Sequence, residues 1–527
     1  MNRFSSPDMN RIGVIGAGTM GSGIALAALL GNLKVVLYDV EPSILDRAHG
    51  YIEEHLNRKR RAINIQYLKT TMELEDVQPC GVVIEAAPEE LSLKQKLFEQ
   101  LGKICAPPTI LATNTSTLPV TAITAAAHDP GRAGGMHFFN PAPVMPLVEV
   151  VRGAQTSPET IQYLVSLAEK MGKTPVVARD TPGFIVNRVA RPFYGEALRL
   201  LSEGAATFDQ IDRVIRLGGG FRMGPFQLMD LIGIDINFAA TQSMYAQTFE
   251  EPRYRPSLIQ AQMVQKKALG KKTGHGFYDY HQDGSLIEEQ RAPLSPLPQD
   301  SIRAHPVLIR HGSWAPGIIE LFKQKGYHIS ALYNPSNQPD LAVITIGVNE
   351  GLENAVVTLD QDLPPEIPLL CQCCNVTLTE IATWVEHPAR LVGFDSLFFA
   401  NGPIATLVPS PALYPQARAI IEDMLTRLGK EPVWITDSPG LILPRVIGML
   451  ANEAAFAFAE GVAPIETIDK AMQLGTSYPR GPLAWAKEIG YSCIVEVLDR
   501  MHAEYGEERY RVTPLLRRWA RLNQVSA

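Results

Sequence analysis

The chain has little of what marks membrane, secreted or nucleic-acid-binding proteins. Its longest alanine and leucine run, "IALAALL" at residues 24–30, is far shorter than the roughly 20 apolar residues that a membrane-spanning helix needs. The first residues, "MNRFSSPDMN", have no apolar core, which predicts no secretory signal peptide. A net charge of −7 and a pI near 5.9 argue against a nucleic-acid partner. We therefore predict neither a membrane nor a nucleic acid as partner.

Cysteine is also scarce, with 6 residues in a chain of 527. So few cysteines do not make a disulfide framework in so long a chain. Three of them stand in "CQCC", residues 371–374, and no second cysteine or histidine pair lies near enough in sequence to complete a metal site. We therefore predict cysteines of a buried strand, no bound metal, and a reducing, cytoplasmic location.

A glycine-rich turn near the start of the chain predicts a dinucleotide site. The motif "GAGTMG" contains Gly16, Gly18 and Gly21, follows an apolar strand and opens an alanine- and leucine-rich helix. Gly16 permits the tight turn, Gly18 the approach of a pyrophosphate, and Gly21 close helix packing. Asp39 ends the next strand, where its carboxylate suits ribose hydroxyls and repels a 2′-phosphate, which favours NAD over NADP. A glycine turn without a ligand is the alternative.

Four polar positions after this motif predict a catalytic site. Ser116 in "NTSTL" follows an apolar strand, at the edge of a parallel sheet where ligands bind. His137 stands in "GGMHFFNP", and Glu149 interrupts the apolar run "PLVEVV". A lone histidine beside aromatic residues is usually a core residue, but a carboxylate in an apolar strand needs a partner. A pair of His137 and Glu149 explains both, and Asn187 adds an amide early in the helical region that follows.

The order of patterns predicts an α/β Rossmann domain plus an all-α domain, followed by a degenerate repeat of both. Strand patterns alternate with helical ones at first, helical patterns then dominate, and a polar, proline-dotted linker follows. Beyond the linker the helical part returns at constant spacing, with Pro182 matched by Pro439 and Glu196 by Glu453. The predicted segments are 1–180 (NAD-binding), 181–280 (helical), 281–306 (linker), 307–436 (reduced Rossmann-like) and 437–527 (second helical).

The second copy keeps the frame of the first and loses its polar groups. "RHGSWAPGI" stands where the first copy has "GAGTMGSGI", so the phosphate turn is lost. The four catalytic positions are replaced as well: Val376 aligns with Ser116, Asp395 with His137, Pro409 with Glu149 and Pro444 with Asn187. We therefore predict one active site, in the first half, and a second helical domain whose regular helix begins near Pro444 or is kinked there, since proline suits a first helical turn and not a later one.

The motifs, taken together, resemble those of one enzyme family. Five motifs occur in order within residues 11–280: "GAGTMGSGIA", "NTSTL", "HFFNPAPVMPLVEVV", "DTPGFIVNRV" and "GKKTGHGFYDY". In these motifs the chain resembles the bacterial L-3-hydroxyacyl-CoA dehydrogenases, often called 3-hydroxybutyryl-CoA dehydrogenases. The longer layout resembles the 3-hydroxyadipyl-CoA dehydrogenases of phenylacetate breakdown. The resemblance implies NAD-dependent, reversible oxidation of an L-3-hydroxyacyl-CoA to the 3-oxoacyl-CoA, within fatty acid metabolism and β-oxidation.

The resemblance also implies roles for individual residues. It makes His137 the general base, oriented by Glu149, and Ser116 and Asn187 polar groups that bind substrate. It implies NAD contacts at Asp39, Glu89, Lys94 and Ser116, and candidate contacts to the CoA phosphates at Arg58, Lys59, Arg60 and Arg61 of "NRKRR". For that basic run, a solvated charged face is the alternative.

An intrachain pseudo-dimer is a further expectation. Short members of the family dimerise through their helical domains, as the resemblance implies, and such an interface is isologous. This chain carries two versions of that domain, so we expect them to pack on each other within one chain, with room for a further homodimer.

Two other functions remain open from the sequence. One is an NAD-dependent β-hydroxyacid dehydrogenase of the same superfamily that acts on a free sugar acid; the basic run at residues 58–61 speaks against it. The other is a non-catalytic protein that binds CoA or NAD, and the intact set of polar catalytic residues speaks against that. The sequence leaves open the acyl length and a preference for a terminal carboxylate.

Overall fold

The computed structural model describes residues 7–58, 65–287 and 306–526, and the chain divides into two compact units. Unit 1 is Met1–Val189 with Ala457–Gly481, and unit 2 is Ala190–Phe456 with Pro482–Ala527. Unit 1 therefore joins the first part of the chain to a segment from near its end.

The described part of unit 1 forms a twisted sheet of eight strands. They are β1 (Asp8–Ile15), β2 (Lys34–Tyr38), β3 (Leu68–Thr71), β4 (Cys80–Glu85), β5 (Ile110–Thr113), β6 (Ala133–Phe138), β7 (Leu147–Arg152) and β8 (Thr174–Arg179). Their order is β3-β2-β1-β4-β5-β6-β7-β8, and among these pairings β6 with β7 is antiparallel. The order changes direction at β1 and β4, where ligands bind in doubly wound sheets. The predicted Rossmann sheet is confirmed.

Helices cover both faces of this sheet. They are α1 (Thr19–Leu30), α2 (Pro42–Arg58), α3 (Leu91–Ile104), α4 (Val120–Thr124), α5 (Pro158–Lys170) and the single turn α6 (Val186–Val189). Ile24, Ile52 and Leu164 belong to the core on one face, and Phe98 and Ile123 to the core on the other. Strands buried on both faces are apolar throughout, so a buried carboxylate within them stands out in sequence.

Unit 2 contains a group of helices and then a second sheet. The helices α7 (Arg191–Ser202), α8 (Phe208–Arg213), α9 (Pro225–Ile232), α10 (Ile234–Gln247) and α11 (Leu258–Gln265) come first. The strands are β9 (Pro306–Arg310), β10 (His328–Ser330), β11 (Leu341–Ile344), β12 (Leu369–Gln372), β13 (Leu391–Phe394), β14 (Ile404–Pro409) and β15 (Glu431–Trp434). Their order is β10-β9-β11-β12-β13-β14-β15, with β13 and β14 antiparallel. The expectation of a second sheet-bearing region is confirmed.

The other helices of the second half flank or follow this sheet. They are α12 (Ile318–Gln324), α13 (Leu352–Asp362), α14 (Leu378–Ala382), α15 (Pro415–Leu428), α16 (Leu443–Ala459), α17 (Ile465–Thr476), α18 (Pro482–Ile489), α19 (Tyr491–Tyr505) and α20 (Pro514–Ser526). Of these, α17 lies in unit 1. No helix in the described ranges is both long enough and apolar enough to cross a bilayer.

One local prediction of the sequence analysis is confirmed, and a second is confirmed in part. The helix α16 begins at Leu443, one residue before Pro444, because proline lacks the backbone donor that a later helical position must supply. The first cysteine of "CQCC", Cys371, lies in β12, and Cys373 and Cys374 follow the strand; all three thiols are buried. Burial raises the pKa of Cys371 to about 12.

Candidate active site

The glycine turn between β1 and α1 is tight at two positions and open at the third. Gly16 has a φ of +94°, and a methyl group there would lie 2.7 Å from the Ala86 carbonyl oxygen. A methyl group at Gly21 would lie 1.7 Å from the Gly16 carbonyl oxygen. Gly18 caps α1, and a methyl group there would meet no atom of the described chain within 4 Å apart from its neighbours in sequence. The turn thus leaves the amino end of α1 open to a phosphate, which fits a dinucleotide.

Asp39 lies directly beside this turn. It follows β2 and is half-buried. Its Oδ2 accepts a hydrogen bond from the Ala17 amide at 2.7 Å, and its Oδ1 accepts one from the Glu41 amide at 3.1 Å. The carboxylate is therefore held at the end of β2, next to the phosphate turn, where a dinucleotide places its ribose.

Glu89 caps the turn that carries Ser116. Its Oε1 accepts hydrogen bonds from the Thr115 hydroxyl at 2.6 Å and from the amides of Ser116 and Thr117 at 2.9 and 3.1 Å. Burial alone would raise the pKa of Glu89, but Lys94 and these donors hold it below its usual value. Glu89 is thus an ionised group tied to the Ser116 loop.

Lys94 is held inside unit 1 by acceptors from the end of β4. It is 1% exposed, and its ammonium donates to Glu85 Oε1 at 2.7 Å and to the Ala87 carbonyl oxygen at 3.1 Å. Glu89 Oε2 lies 3.3 Å from the same nitrogen. Sequence reasoning missed Glu85, although it carries the same signal as Glu149, a carboxylate inside an apolar strand.

His137 and Glu149 form the pair that the sequence predicted. They lie opposite each other on the antiparallel strands β6 and β7, and His137 Nδ1 is 2.8 Å from Glu149 Oε2. Glu149 is fully buried, and the histidine ring packs against Phe139 and Phe184. Because an ionised carboxylate only accepts, Nδ1 donates to it, and Nε2 then carries the free lone pair.

The residues after β8 hold the second oxygen of Glu149. Its Oε1 accepts hydrogen bonds from the amides of Ile185 and Val186, both at 3.0 Å. These amides point inward because Gly183 and Phe184 adopt positive φ angles of 76° and 49°, which turn the chain sharply before α6. Glu149 therefore has three donors on two oxygens, and its ring partner is fixed in one orientation.

Asn187 and Ser116 lie next to each other. The Asn187 side-chain amide donates to the Ser116 carbonyl oxygen at 3.2 Å. Both side chains are half-buried. Asn187 is in α6, directly after the amides that bind Glu149, so one short segment carries both groups. By its contacts Asn187 belongs to unit 1 with the other three residues, in the segment that the sequence assigns to the helical domain 181–280.

Asn114 connects the Ser116 loop to the histidine strand, and sequence reasoning missed it. Its Oδ1 accepts a hydrogen bond from the Phe138 amide at 2.8 Å, beside His137.

Of the four candidate residues for the CoA phosphates, the structure describes the position of one. Arg58 is the last residue of α2. Lys59, Arg60 and Arg61 lie outside the described residues.

Comparisons with known proteins relate both halves of the chain to one enzyme family. The NAD-binding domain of 3-hydroxyacyl-CoA dehydrogenase matches residues 11–181, and the C-terminal domain of the same enzyme matches residues 183–280 and 440–527. A 3-hydroxyadipyl-CoA dehydrogenase of Escherichia coli K12 is 36% identical over 98% of both chains. A probable 3-hydroxybutyryl-CoA dehydrogenase of Deinococcus radiodurans is 42% identical over 51% of this chain and 100% of its own.

A solved structure extends the similarity to the whole fold. The crystal structure of a 3-hydroxybutyryl-CoA dehydrogenase from E. coli K12 aligns with a TM-score of 0.80 and 35% identity, covering 99% of this chain and 100% of that one. Family models match both halves of the chain, a relative is 36% identical over nearly its full length, and the fold is shared. The chain belongs to the 3-hydroxyacyl-CoA dehydrogenase family.

Proposed function

We propose that this chain oxidises an L-3-hydroxyacyl-CoA to the 3-oxoacyl-CoA, reversibly, with NAD. The observation that carries the proposal is the buried pair of His137 and Glu149, with Nδ1 and Oε2 2.8 Å apart. A secondary alcohol loses hydride only as its hydroxyl proton leaves, and His137 Nε2 takes that proton as general base. Bound NAD supplies the hydride acceptor. Glu149 stabilises the imidazolium that forms.

Ser116 and Asn187 provide the polar groups for the substrate. Their adjacency supports a shared task, which is to donate hydrogen bonds to the C3 oxygen or to the thioester carbonyl. Such donors orient the reacting carbon toward the nicotinamide and toward His137. Ser116 also lies beside Glu89, so one loop contacts both the substrate and the cofactor in this proposal.

The NAD site we propose comprises Gly16, Gly18, Gly21, Asp39, Glu89, Lys94 and Ser116. Lys94 acts through Glu89, because its own ammonium is buried. Arg58, with Lys59, Arg60 and Arg61, is the proposed contact for the CoA phosphates. A cytoplasmic location suits this chemistry.

The first test is turnover by the purified protein. Acetoacetyl-CoA and NADH should be consumed together, while free β-hydroxy or sugar acids with NAD should give no reaction. Preference for a free acid would favour the alternative of a β-hydroxyacid dehydrogenase. No turnover with any acyl-CoA would favour a CoA- or NAD-binding protein. A panel of 3-hydroxyacyl-CoA substrates that includes 3-hydroxyadipyl-CoA, after the name of the E. coli relative, would define the acyl group.

Asp39 should make the enzyme prefer NAD over NADP. In Asp39→Asn the side chain keeps its shape but loses the charge that repels a 2′-phosphate. Loss of a charged hydrogen-bond partner should lower kcat/KM with NAD by about tenfold, while kcat/KM with NADP rises or holds. Steady-state kinetics with both cofactors measure the ratio. Equal kcat/KM for the two cofactors in the unmodified enzyme would contradict the role of Asp39.

We also propose that the second half is a degenerate repeat, with the domains bounded as the sequence predicts. Support comes from matching local contacts. Asp180 accepts from the amides of Val120 and Thr121 at 3.1 and 2.7 Å, and Asp437 accepts from those of Leu378 and Thr379 at the same distances. The positive φ angles recur too, at Gly440 and Leu441.

The strand register corrects one detail of the sequence alignment. Glu149 pairs with Val176 in β8, and Thr406 pairs with Val433 in β15. The Asp395 amide in turn donates to the Thr406 carbonyl oxygen at 3.2 Å. Thr406 thus takes the place of Glu149, and the alignment of Glu149 with Pro409 was wrong. That alignment compared residue types along the chain, whereas hydrogen bonds between strands set the register. Asp395 is left as a buried carboxyl, and burial raises its pKa to about 7.

The chain should bind one NAD and not two. In the second half, the Glu350 carboxylate accepts from the Ser313 amide, in the turn between β9 and α12, at 3.3 Å and from the Gly347 amide, after β11, at 2.9 Å. The buried Trp314 side chain fills the space above Gly347. Isothermal titration of the full chain with NAD should give one site. A second equivalent of comparable affinity would contradict the proposal.

We propose that the two helical domains form the intrachain pseudo-dimer. Support comes from contacts that recur with the roles of the copies exchanged, as an isologous interface requires. Within unit 2, Tyr254 donates to Glu453 at 2.6 Å and Tyr510 donates to Glu196 at 3.1 Å. The Thr436 amide donates to the Ala205 carbonyl oxygen at 2.9 Å, and within unit 1 the Arg179 amide donates to the Val462 carbonyl oxygen at 2.9 Å. Light scattering would measure any further homodimer.

A further inference from the structure

We propose that residues 457–481, from the second half of the chain, position the catalytic groups of the first half through Glu460 and Gly475. The inference rests on the proposed reaction, since it assigns a role toward Glu149 and Asn187. All the contacts that carry it lie within unit 1. Glu460 and Gly475 are positioning residues in this proposal, because they touch the segment that holds the catalytic groups.

Glu460 holds the residue that follows Asn187. Arg188 is 4% exposed, and its Nη1 donates to Glu460 Oε2 at 2.8 Å. The helix α6 is a single turn, and one turn has too few internal hydrogen bonds to persist alone. An ion pair at its end therefore helps to determine where Asn187 lies.

Gly475 brings α17 against the backbone that binds Glu149. A methyl group at Gly475 would lie 2.8 Å from Leu147 Cδ2 and 3.0 Å from Val186 Cγ2. Val186 donates its amide to Glu149, and Leu147 is in the same strand as Glu149. The close approach that glycine allows thus packs α17 on the side chains of Val186, whose amide binds Glu149, and of Leu147, two residues before Glu149 in β7.

The edge strand β8 anchors the same segment. The Arg179 amide donates to the Val462 carbonyl oxygen at 2.9 Å, and Arg179 Nη1 donates to the Glu460 carbonyl oxygen at 3.3 Å. The contacts of α17 hold one end of the segment and the hydrogen bonds of Arg179 hold the other. Glu460 is therefore held in the position from which it pairs with Arg188. Residues 457–481 thus contact both α6 and β7, which carry Asn187 and Glu149.

Unit 2 contains a matched set of contacts without a catalytic site. Arg445 Nη1 donates to Glu203 Oε2 at 2.8 Å, as Arg188 does to Glu460. A methyl group at Gly218 would lie 2.9 Å from Leu443 Cδ1 and 3.2 Å from Ile404 Cγ2, as one at Gly475 meets Val186 and Leu147. Because Pro444 replaces Asn187 there, the same substitution in unit 2 disturbs packing and leaves the chemistry alone.

The experiment compares Glu460→Gln with Glu203→Gln in the full-length protein. We expect Glu460→Gln to lower kcat with 3-hydroxybutyryl-CoA by about 10- to 100-fold, since small misplacements of catalytic groups have effects of that size. KM for NAD should hold, because the glycine turn and Asp39 are not touched. Glu203→Gln should keep kcat, and Glu460→Asp, which retains the charge, should recover part of it.

A second pair of variants guards against a simple loss of folding. Gly475→Ala should lower kcat as Glu460→Gln does, and Gly218→Ala should not, with melting temperatures recorded for all five variants. Equal losses of kcat in the two units, or no loss in Glu460→Gln and Gly475→Ala, would overturn the inference. An unmodified protein without turnover would instead overturn the proposed function.

Discussion

Replacing His137 with Gln should lower kcat by about 10²- to 10⁴-fold, the usual contribution of a general acid or base. Glutamine fills similar space and can accept a hydrogen bond from the substrate, but it cannot take up the hydroxyl proton at neutral pH. The loss should appear in kcat/KM as well, because the interaction is made in the transition state. Stopped-flow or steady-state measurement of NADH formation gives both values.

Two controls separate this effect from damage to the fold. NAD should bind His137→Gln with unchanged affinity, since the glycine turn and Asp39 hold the cofactor elsewhere in unit 1. His128→Gln changes an exposed histidine of the same unit and should keep full activity. A His137→Gln enzyme that turns over as fast as the parent would remove His137 from the mechanism.

Replacing Arg445 with Met should lower the free energy of unfolding strongly. The guanidinium is fully buried and donates to Glu196, Glu203, Tyr505 and Tyr510 at 2.8–2.9 Å. Although burial opposes its charge, Glu196 and its other partners hold the pKa of Arg445 well above its usual value. Removal of one partner from a buried ion pair costs about 3–5 kcal/mol, because the remaining charges stay buried without compensation. Urea unfolding followed by circular dichroism measures the change.

The matched control is an ion pair at the surface. Lys103 lies 2.6 Å from Glu99 on α3, with the two side chains 69% and 59% exposed. Lys103→Met should leave the unfolding midpoint where it is, since water and salt screen such a pair. If Arg445→Met unfolds at the same urea concentration as the parent, the buried network adds no stability.

The sequence by itself determined the fold class and most of the candidate site. The sheet of unit 1, the glycine turn and the pairing of His137 with Glu149 follow from patterns that are local in sequence. Alternation of apolar strands and helices specifies a doubly wound sheet, a tight turn requires glycine, and a carboxylate in a buried strand requires a partner. Each of these signals lies within a few neighbouring residues, so one sequence suffices to read it.

Only the tertiary structure decided which distant residues contact the candidate site. Nothing near Glu460 in sequence indicates that it pairs with Arg188, and nothing near Lys94 indicates that Glu85 and Glu89 share its ammonium. The register by which Thr406 pairs with Val433, as Glu149 pairs with Val176, depends on hydrogen bonds to a neighbouring strand. Packing and ion pairing join residues by distance in space, and a contact between segments that are far apart in the chain leaves no periodic signal in either one.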